Sequence, residues 1–361
     1  MFHRAISIPP TGACHDQPGW PGALAWQLLA PHADLPTQSP EFQAALADTL
    51  LRGRQYRVLA CEGAGGPDAC IALSKGTGRL AAWRMAGDDE VFEPGDALCR
   101  DGAAVERLAQ QLARLDEPLE FARLPAGSAL IPPLRAAMRG RGLLSIRPAT
   151  PSPWLALDAS WGDPDSHFSA RRRSDFRRYR RRAEELGGVS LAMHSPDAAA
   201  FDALFDEAIA VELRSWKREA GSAIACNPDK EAFFRQYLRA ASAAGQCRIA
   251  FMRIDGRPVA MQLAVVSGGH YWLYKIGYDE DFSRCSPGNL LMLHAVGEAV
   301  RAGLSAFEFM GEAEGWIAEL WTRSQHPCVR LRTYPFSLVG MAALARDSGQ
   351  WLRARARRSM V

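Results

Sequence analysis

The spacing of apolar and polar positions divides the chain into two halves. Residues 20–30 and 39–52 repeat apolar positions at helical spacing, and the second run opens on Ser39-Pro40-Glu41. A capping serine before a proline at the first helical position is a helix start. Two strand-like runs follow, YRVLACE and DACIALS, joined through Gly63 to Pro67 as a hairpin. Helices are expected over residues 103–115 and 130–139, alternating with the short apolar runs LEFARL and LLSIRPA. Pro148, Pro151 and Pro153 then punctuate the chain, and the domain boundary falls near Thr150.

The second half begins with SARRRSDFRRYRRRAEEL, where Phe176, Tyr179, Ala183 and Leu186 form an apolar stripe and eight arginines fill positions 171 to 182. Helices are expected over residues 196–217 and 228–244. A meander comes next: CRIAFMRI, a turn at Asp255-Gly256, PVAMQLAVV, a turn at Gly268-Gly269, then HYWLYKIGY. Asp-Gly and Gly-Gly between apolar runs are hairpin signals. A helix after Pro287, the strand LSAFEFMG, a helix over 316–324 and the strand CVRLRTYPF complete this half. In the tail, Leu338, Val339, Met341 and Leu344 precede Arg346, Arg353, Arg355, Arg357 and Arg358. That segment reads as an amphipathic helix, either packed on the protein or resting on an anionic membrane surface.

Composition narrows the class. At 361 residues the chain exceeds one ordinary core, and 48% hydrophobic with 23% charged residues is globular. No apolar run is long enough to span a bilayer, and MFHRAISIPPTGACHD lacks the pattern of a secretory signal. A cytoplasmic protein is expected, with the inner-membrane periphery left open by the tail. The eight cysteines (Cys14, Cys61, Cys70, Cys99, Cys226, Cys247, Cys285 and Cys328) and eight histidines show no ligand spacing, so reduced thiols and no metal are expected. Formal net charge is only +3. Lysine occurs only at positions 75, 217, 230 and 275, so 39 of the 43 basic residues are arginine (43 − 4) and the few lysines in apolar segments carry more information. The arginine helix reads as a solvated face or an anionic-acceptor site. Specific DNA binding is not expected, because no groove-reading motif accompanies it.

Several residues carry candidate chemistry. Ser286-Pro287-Gly288-Asn289 opens a helix, whose first-turn N–H groups lack internal partners and whose dipole favours an anion. The amides of Gly288, Asn289 and Leu290 are the candidate donors to a pyrophosphate, beside the plainer reading of an ordinary helix start. Gly277, inside a strand, marks a bulge or a close backbone approach. Lys275 alternates with Tyr271 and Leu273 between two buried faces and needs an anionic partner; Glu308, between Phe307 and Phe309, is the expected one. Their pair is either architectural or catalytic. Glu212 and Trp216 share a helix face, with Lys217 next in sequence.

The chain resembles the GNAT acyltransferase superfamily, and within it the CelD-like (cellulose-biosynthesis-associated, BioF2-like) acetyltransferases, relatives of the FemABX peptidyltransferases. The likeness rests on Arg172 to Arg182 with Glu184, Glu212 with Ser215-Trp216-Lys217, Asp255 to Ala260, Lys275 to Asp279, Ser286-Pro287-Gly288 with Leu290-Leu291, and Phe307-Glu308-Phe309 before Gly311. It covers residues 168–325, and more loosely Trp26 to Leu29 and Pro40-Glu41-Phe42. The resemblance implies an α/β fold of tandem GNAT-like domains, each a mixed, mostly antiparallel sheet flanked by helices. The implied division is a degenerate domain over 1–150, the acyltransferase domain over 151–336, and a basic amphipathic helix over 337–361.

The implied co-substrate is acetyl-CoA or another acyl-CoA, without a metal. The implied acceptor is an amine or hydroxyl on a small molecule or glycan, in exopolysaccharide or cell-envelope metabolism, with an envelope synthase as a further partner. Gly277, Ser286, Pro287, Gly288, Asn289 and Leu290 would hold the cofactor. Glu308, Lys275, Tyr278, Glu212 and Lys217 would carry the chemistry, Tyr278 as acid to the leaving thiolate. Arg172, Arg178, Trp216, Tyr274 and Asp279 would meet the acceptor, and the Asp279-Glu280-Asp281 loop would face acceptor or solvent. Two other functions stay open: a FemABX-like aminoacyl-tRNA-dependent transferase, and a non-catalytic partner of a polysaccharide synthase.

Overall fold

The computed structural model describes residues 6–7, 23–63 and 65–358; Cys14 and the helix start expected at Trp20 lie outside them. The chain forms two compact units, residues 1–151 together with 326–361, and residues 152–325. In each a mixed, mostly antiparallel sheet is flanked by helices.

The first unit contains β1 (Ile6–Ser7), α1 (Ala23–Leu29), α2 (Pro40–Asp48), β2 (Gln55–Gly63), β3 (Gly66–Lys75), β4 (Trp83–Met85), β5 (Leu98–Cys99), α3 (Gly102–Leu112), β6 (Leu119–Pro125), α4 (Ile131–Ala137) and the start of β7 (Gly142–Ala156). The Ser39 side chain accepts from the Phe42 amide to open α2, and Asp101 does the same for α3 through Ala104. The units divide after Pro151, among the prolines expected to end this half, although all three lie inside β7. Proline's fixed φ is compatible with an extended chain, so it interrupts hydrogen bonding without ending the strand.

The second unit runs through α5 (Ala170–Glu184), β8 (Val189–His194), α6 (Phe201–Glu212), α7 (Pro228–Ala243), β9 (Cys247–Ile254), β10 (Arg257–Ser267), β11 (His270–Tyr278), α8 (Pro287–Arg301), β12 (Ala306–Glu308) and α9 (Gly315–Leu320). The chain then continues into β13 (Gln325–Pro335) and α10 (Leu338–Arg358). β13 pairs antiparallel with β6, so residues 326–336, expected in the second domain, complete the first unit's sheet instead. The expected helix over 196–217 is shorter at both ends, and Leu186 lies beyond α5 and is exposed.

Both meander turns take the left-handed pair of conformations that their residues favour: Asp255 and Gly256 at φ 47° and 78°, Gly268 and Gly269 at 59° and 77°. Antiparallel pairing joins β8, β9, β10 and β11, whereas β11 pairs with β12 in parallel through three residues only, His270, Tyr271 and Trp272. Among the described residues, no strand lies beside β11 on that side beyond Trp272. The main core lies under α8, where Tyr271 and Phe307 stack at 4.6 Å beside Leu273, Leu291 and Phe176.

A bulge decides which residues reach the site. Leu263 pairs with Lys275 and Ala264 with Leu273, leaving Tyr274 as an extra residue. A bulge of this kind shifts the alternation by one. Tyr271 and Leu273 belong to the core under α8, Ile276 and Tyr278 pack against that same core, and Lys275 turns to the opposite face.

Candidate functional site

Where β11 continues past β12, a hollow of about 300 Å³ opens beside its last residues. Ile276, Gly277 and Tyr278 of β11, Met261 and Gln262 of β10, and the first turns of α8 (Gly288, Asn289, Leu291, Met292) line it. Ser283 and Ser286 lie ahead of α8, Trp216 and Lys217 come from the loop after α6, and Glu314 and Trp316 from the start of α9. Seven of the expected site residues meet here: Trp216, Lys217, Gly277, Tyr278, Ser286, Gly288 and Asn289.

The loop after α6 is anchored from inside. Glu212 is fully buried (0% exposed) and accepts from the Ile224 amide at 2.8 Å and from Lys217 Nζ at 3.3 Å. Lys217 Nζ also donates to the Ile276 carbonyl at 2.5 Å and lies 5.6 Å from the centre of the Trp216 ring. Glu212 therefore stands behind the hollow and holds Lys217 at its wall. Gly277 lets α6 approach closely: a Cβ there would meet the Cα of Glu212 at 3.1 Å, so that the helix would have to give way by a few tenths of an ångström.

The start of α8 differs from a plain capped helix. Ser286 is left-handed at φ 47°, and its side chain makes no capping bond. Its Oγ accepts from Asn289 Nδ2 at 2.9 Å, and its carbonyl accepts the amides of Asn289 and Leu290 at 3.1 and 3.3 Å. Of the three candidate amides, only Gly288 N–H lacks an acceptor among the described residues. The Ser286 hydroxyl hydrogen and the second Asn289 amide hydrogen add further donors at the same wall. Leu290 points away, into a second hollow of about 370 Å³ that also includes Asp165, Arg180, Glu184 and His294. Pro287 serves as the first helical residue.

The other expected site residues lie elsewhere. The bulge turns Lys275 to the same face of the sheet as Glu308 but three residues further along β11 than Trp272, the register partner of Glu308, and its ammonium lies 5.1 Å from the Phe234 ring centre. Glu308 sits at the far end of β11, buried, with His270 Nδ1 3.0 Å from its Oε1. Tyr274 is buried against α7, its hydroxyl 3.3 Å from that of Tyr237. Arg178 bonds Asp175, and neither it nor Arg172 lines the hollow. Several other α5 arginines are engaged locally: Arg173 with the Phe168 carbonyl, Arg180 with Asp165, Arg181 with Glu185 and Arg182 with the Arg284 carbonyl.

Asp279 is buried and ties loops together. Its Oδ2 accepts from Arg214 at 2.7 Å and Arg257 at 2.6 Å, and its Oδ1 from the Asp281 amide at 3.2 Å. Burial opposes the charge, but the two guanidinium bonds outweigh it and hold the carboxyl below the usual carboxylate range. The expectation that it meets the acceptor is replaced by a structural role. Its stabilisation is complete above the unfolded value of about 3.9 and is lost as pH falls through the lower folded value. Urea unfolding of wild type and Asp279→Asn should therefore differ by about 1–3 kcal/mol at neutral pH and converge in acid; an undiminished gap at low pH would contradict the assignment.

Residues not anticipated from sequence include Met261, Gln262, Met292 and Glu314. Gln262 is 1% exposed, and among the described residues its amide meets the Met292 sulfur at 3.6 Å and the Tyr271 hydroxyl at 3.5 Å, both long contacts. The hollow's inner wall thus carries a weakly satisfied amide. Glu314 is the carboxylate of the lining, and its Oε2 accepts from Trp316 Nε1 at 2.8 Å. Its position just past β12, in a polar loop, was the available sequence signal. Cys285 is buried, donates to the Phe282 carbonyl and has its thiol pushed up by burial, so it is no thiolate nucleophile. Among the described residues no group of histidine, cysteine and carboxylate side chains could hold a metal ion.

Comparison with known proteins gives a family match over part of the chain and a likeness of fold. Residues 170–317 match the sequence model of the family described as Acetyltransferase (GNAT) domain. No curated protein matches the chain in sequence. Among solved structures, FemX is similar over 90% of this chain and 97% of its own, at 11% identity and a TM-score of 0.54. The C-terminal domain assigned to a lysylphosphatidylglycerol synthetase from Agrobacterium fabrum is similar over 91% and 95%, at 13% identity and 0.51. A conserved protein of unknown function from Bacteroides thetaiotaomicron is similar over 86% and 97%, at 8% identity and 0.53. At these identities the structural likeness is one of fold.

Proposed function

We propose that this GNAT acyltransferase takes its acyl group from coenzyme A and passes it directly to an amine or hydroxyl acceptor, in the exopolysaccharide or envelope setting that the CelD-like resemblance implies. The observation that supports the donor is the hollow itself, bounded by the open edge of β11 and by the donor-rich start of α8. Gly288 N–H, Ser286 and Asn289 would meet the pyrophosphate, and the pantetheine arm would run along β11 beyond Trp272.

The acceptor would attack the thioester carbonyl carbon, forming the new C–N or C–O bond, and the C–S bond would then break. Lys217 lies at the wall where its ammonium can balance the oxyanion. Tyr278 would return a proton to the departing thiolate, and Glu314, in place of Glu308, would take one from the acceptor. Neither step needs a covalent enzyme intermediate, in keeping with the buried thiol of Cys285.

The test is thermal. A saturating acyl-CoA, near 100 times its dissociation constant, should add about 2.7 kcal/mol and raise Tm by roughly 5–10 °C. Gly288→Glu places a carboxylate in the first turn of α8, where the helix dipole favours it, so the unliganded Tm should hold or rise slightly. The same charge should abolish the ligand shift. Absence of a shift with any acyl-CoA at millimolar concentration would refute the donor assignment.

A further inference from the structure

The C-terminal helix is amphipathic in the reverse sense. Its inner face is small or polar: Gly340 passes so close to Pro335 that a Cβ would clash with the backbone, Ala343 is fully buried, and Asp347 accepts from Tyr334 and pairs with Arg332. Its outer face carries Leu338, Met341, Ala345 and Leu352, at steps of three, four and seven residues, one line along a helix. Leu338 is 92% exposed and Leu352 58%, with Phe336 at 59% beside the helix start. A helix held only by a packed core shows the opposite pattern, and an apolar line left in water, interrupted only at Ser348 and Gly349, marks an interaction surface.

Charge identifies the partner. The sequence of α10 holds five arginines against one acidic residue, Asp347, which is already engaged on the inner side. Arg353 and Arg355 are exposed beside the apolar line, and Arg355 lies 5.3 Å from the centre of the half-exposed Trp351 ring. Aliphatic side chains outward, arginines along the rims and a tryptophan between them are the elements of a helix lying in a bilayer interface. A protein partner would need its own acidic, concave match, whereas an anionic lipid surface supplies both the charge and an adaptable apolar layer.

We propose that α10 docks the protein on an anionic lipid bilayer, its Leu338–Leu352 line entering the headgroup boundary. The assignment is independent of the acyl donor. It is tested with the full chain in sedimentation against vesicles of phosphatidylcholine alone and of phosphatidylcholine with phosphatidylglycerol. Binding should favour the anionic vesicles and weaken with salt. Arg353→Gln/Arg355→Gln should reduce it by at least tenfold, since each arginine near the surface is worth about fivefold. Leu338→Ser/Leu352→Ser should reduce it similarly while leaving Tm unchanged, because both side chains are already in water. Equal binding to both vesicle types, or none to either, would overturn the proposal. So would a concentration-dependent dimer in lipid-free sedimentation that the serine variant dissolves, since a second copy would then cover the face.

Discussion

Lys217→Met should lower the unfolding free energy by about 3–5 kcal/mol, because it leaves the buried Glu212 carboxylate with the Ile224 amide as its remaining observed bond. Breaking one half of a buried pair costs far more than replacing both halves. Glu212→Gln combined with Lys217→Met should therefore recover most of the loss, and denaturant unfolding of the four forms measures the coupling directly. Turnover separates the chemical role from the architectural one. If Lys217 balances the oxyanion, the stabilised double variant stays slow by about 10²–10³-fold in kcat. A double variant that is both stable and fast would reduce Lys217 to a strut.

Gly277→Val should damage the site through its backbone neighbour. The first added carbon would stand 3.1 Å from the Glu212 Cα, an atom that cannot turn aside as a side-chain tip can. Overpacking of this kind costs about 1–3 kcal/mol, with alanine near the lower limit and valine near the upper. Because the strain separates α6 from β11, Lys217 would move with its loop, and acyl-CoA affinity should fall at least tenfold in a titration where the protein remains folded. Valine tolerated with unchanged affinity would mean that the approach of α6 to β11 does not shape the hollow.

Much of the second unit was legible because its turns announce themselves. Asp255-Gly256 and Gly268-Gly269 prescribe left-handed pairs, and the apolar runs between them have no alternative but to pair. Ser286 to Asn289 and Gly277 were legible for the same reason, since glycine and proline mark constraints on the backbone itself. The bulge at Tyr274 was not. One extra residue in a continuous apolar strand leaves no trace in composition, yet it turns Lys275 away from the core face of Tyr271 and Leu273 and brings its ammonium to the Phe234 ring. Gln262 was hidden likewise, as one amide within PVAMQLAVV. The three prolines marked the division, which falls after Pro151, but not that a single strand runs through it, because proline permits an extended strand as readily as it ends one. The return of β13 depends on pairing between residues about 200 positions apart, beyond the reach of any local pattern.

That return bears on the order in which the molecule can form. The ribosome delivers β6 about 200 residues before β13, its neighbour on one side, and the whole of the second unit lies in between. Folding domain by domain from the N-terminus is therefore closed to the first unit, although it is the usual course. The later-made unit has all its strands once residue 325 has emerged, while the earlier-made one waits with an open edge on β6. An unpaired strand edge is an aggregation hazard for as long as it stays open. For this chain, the vulnerable interval in synthesis falls in the half that carries none of the proposed chemistry.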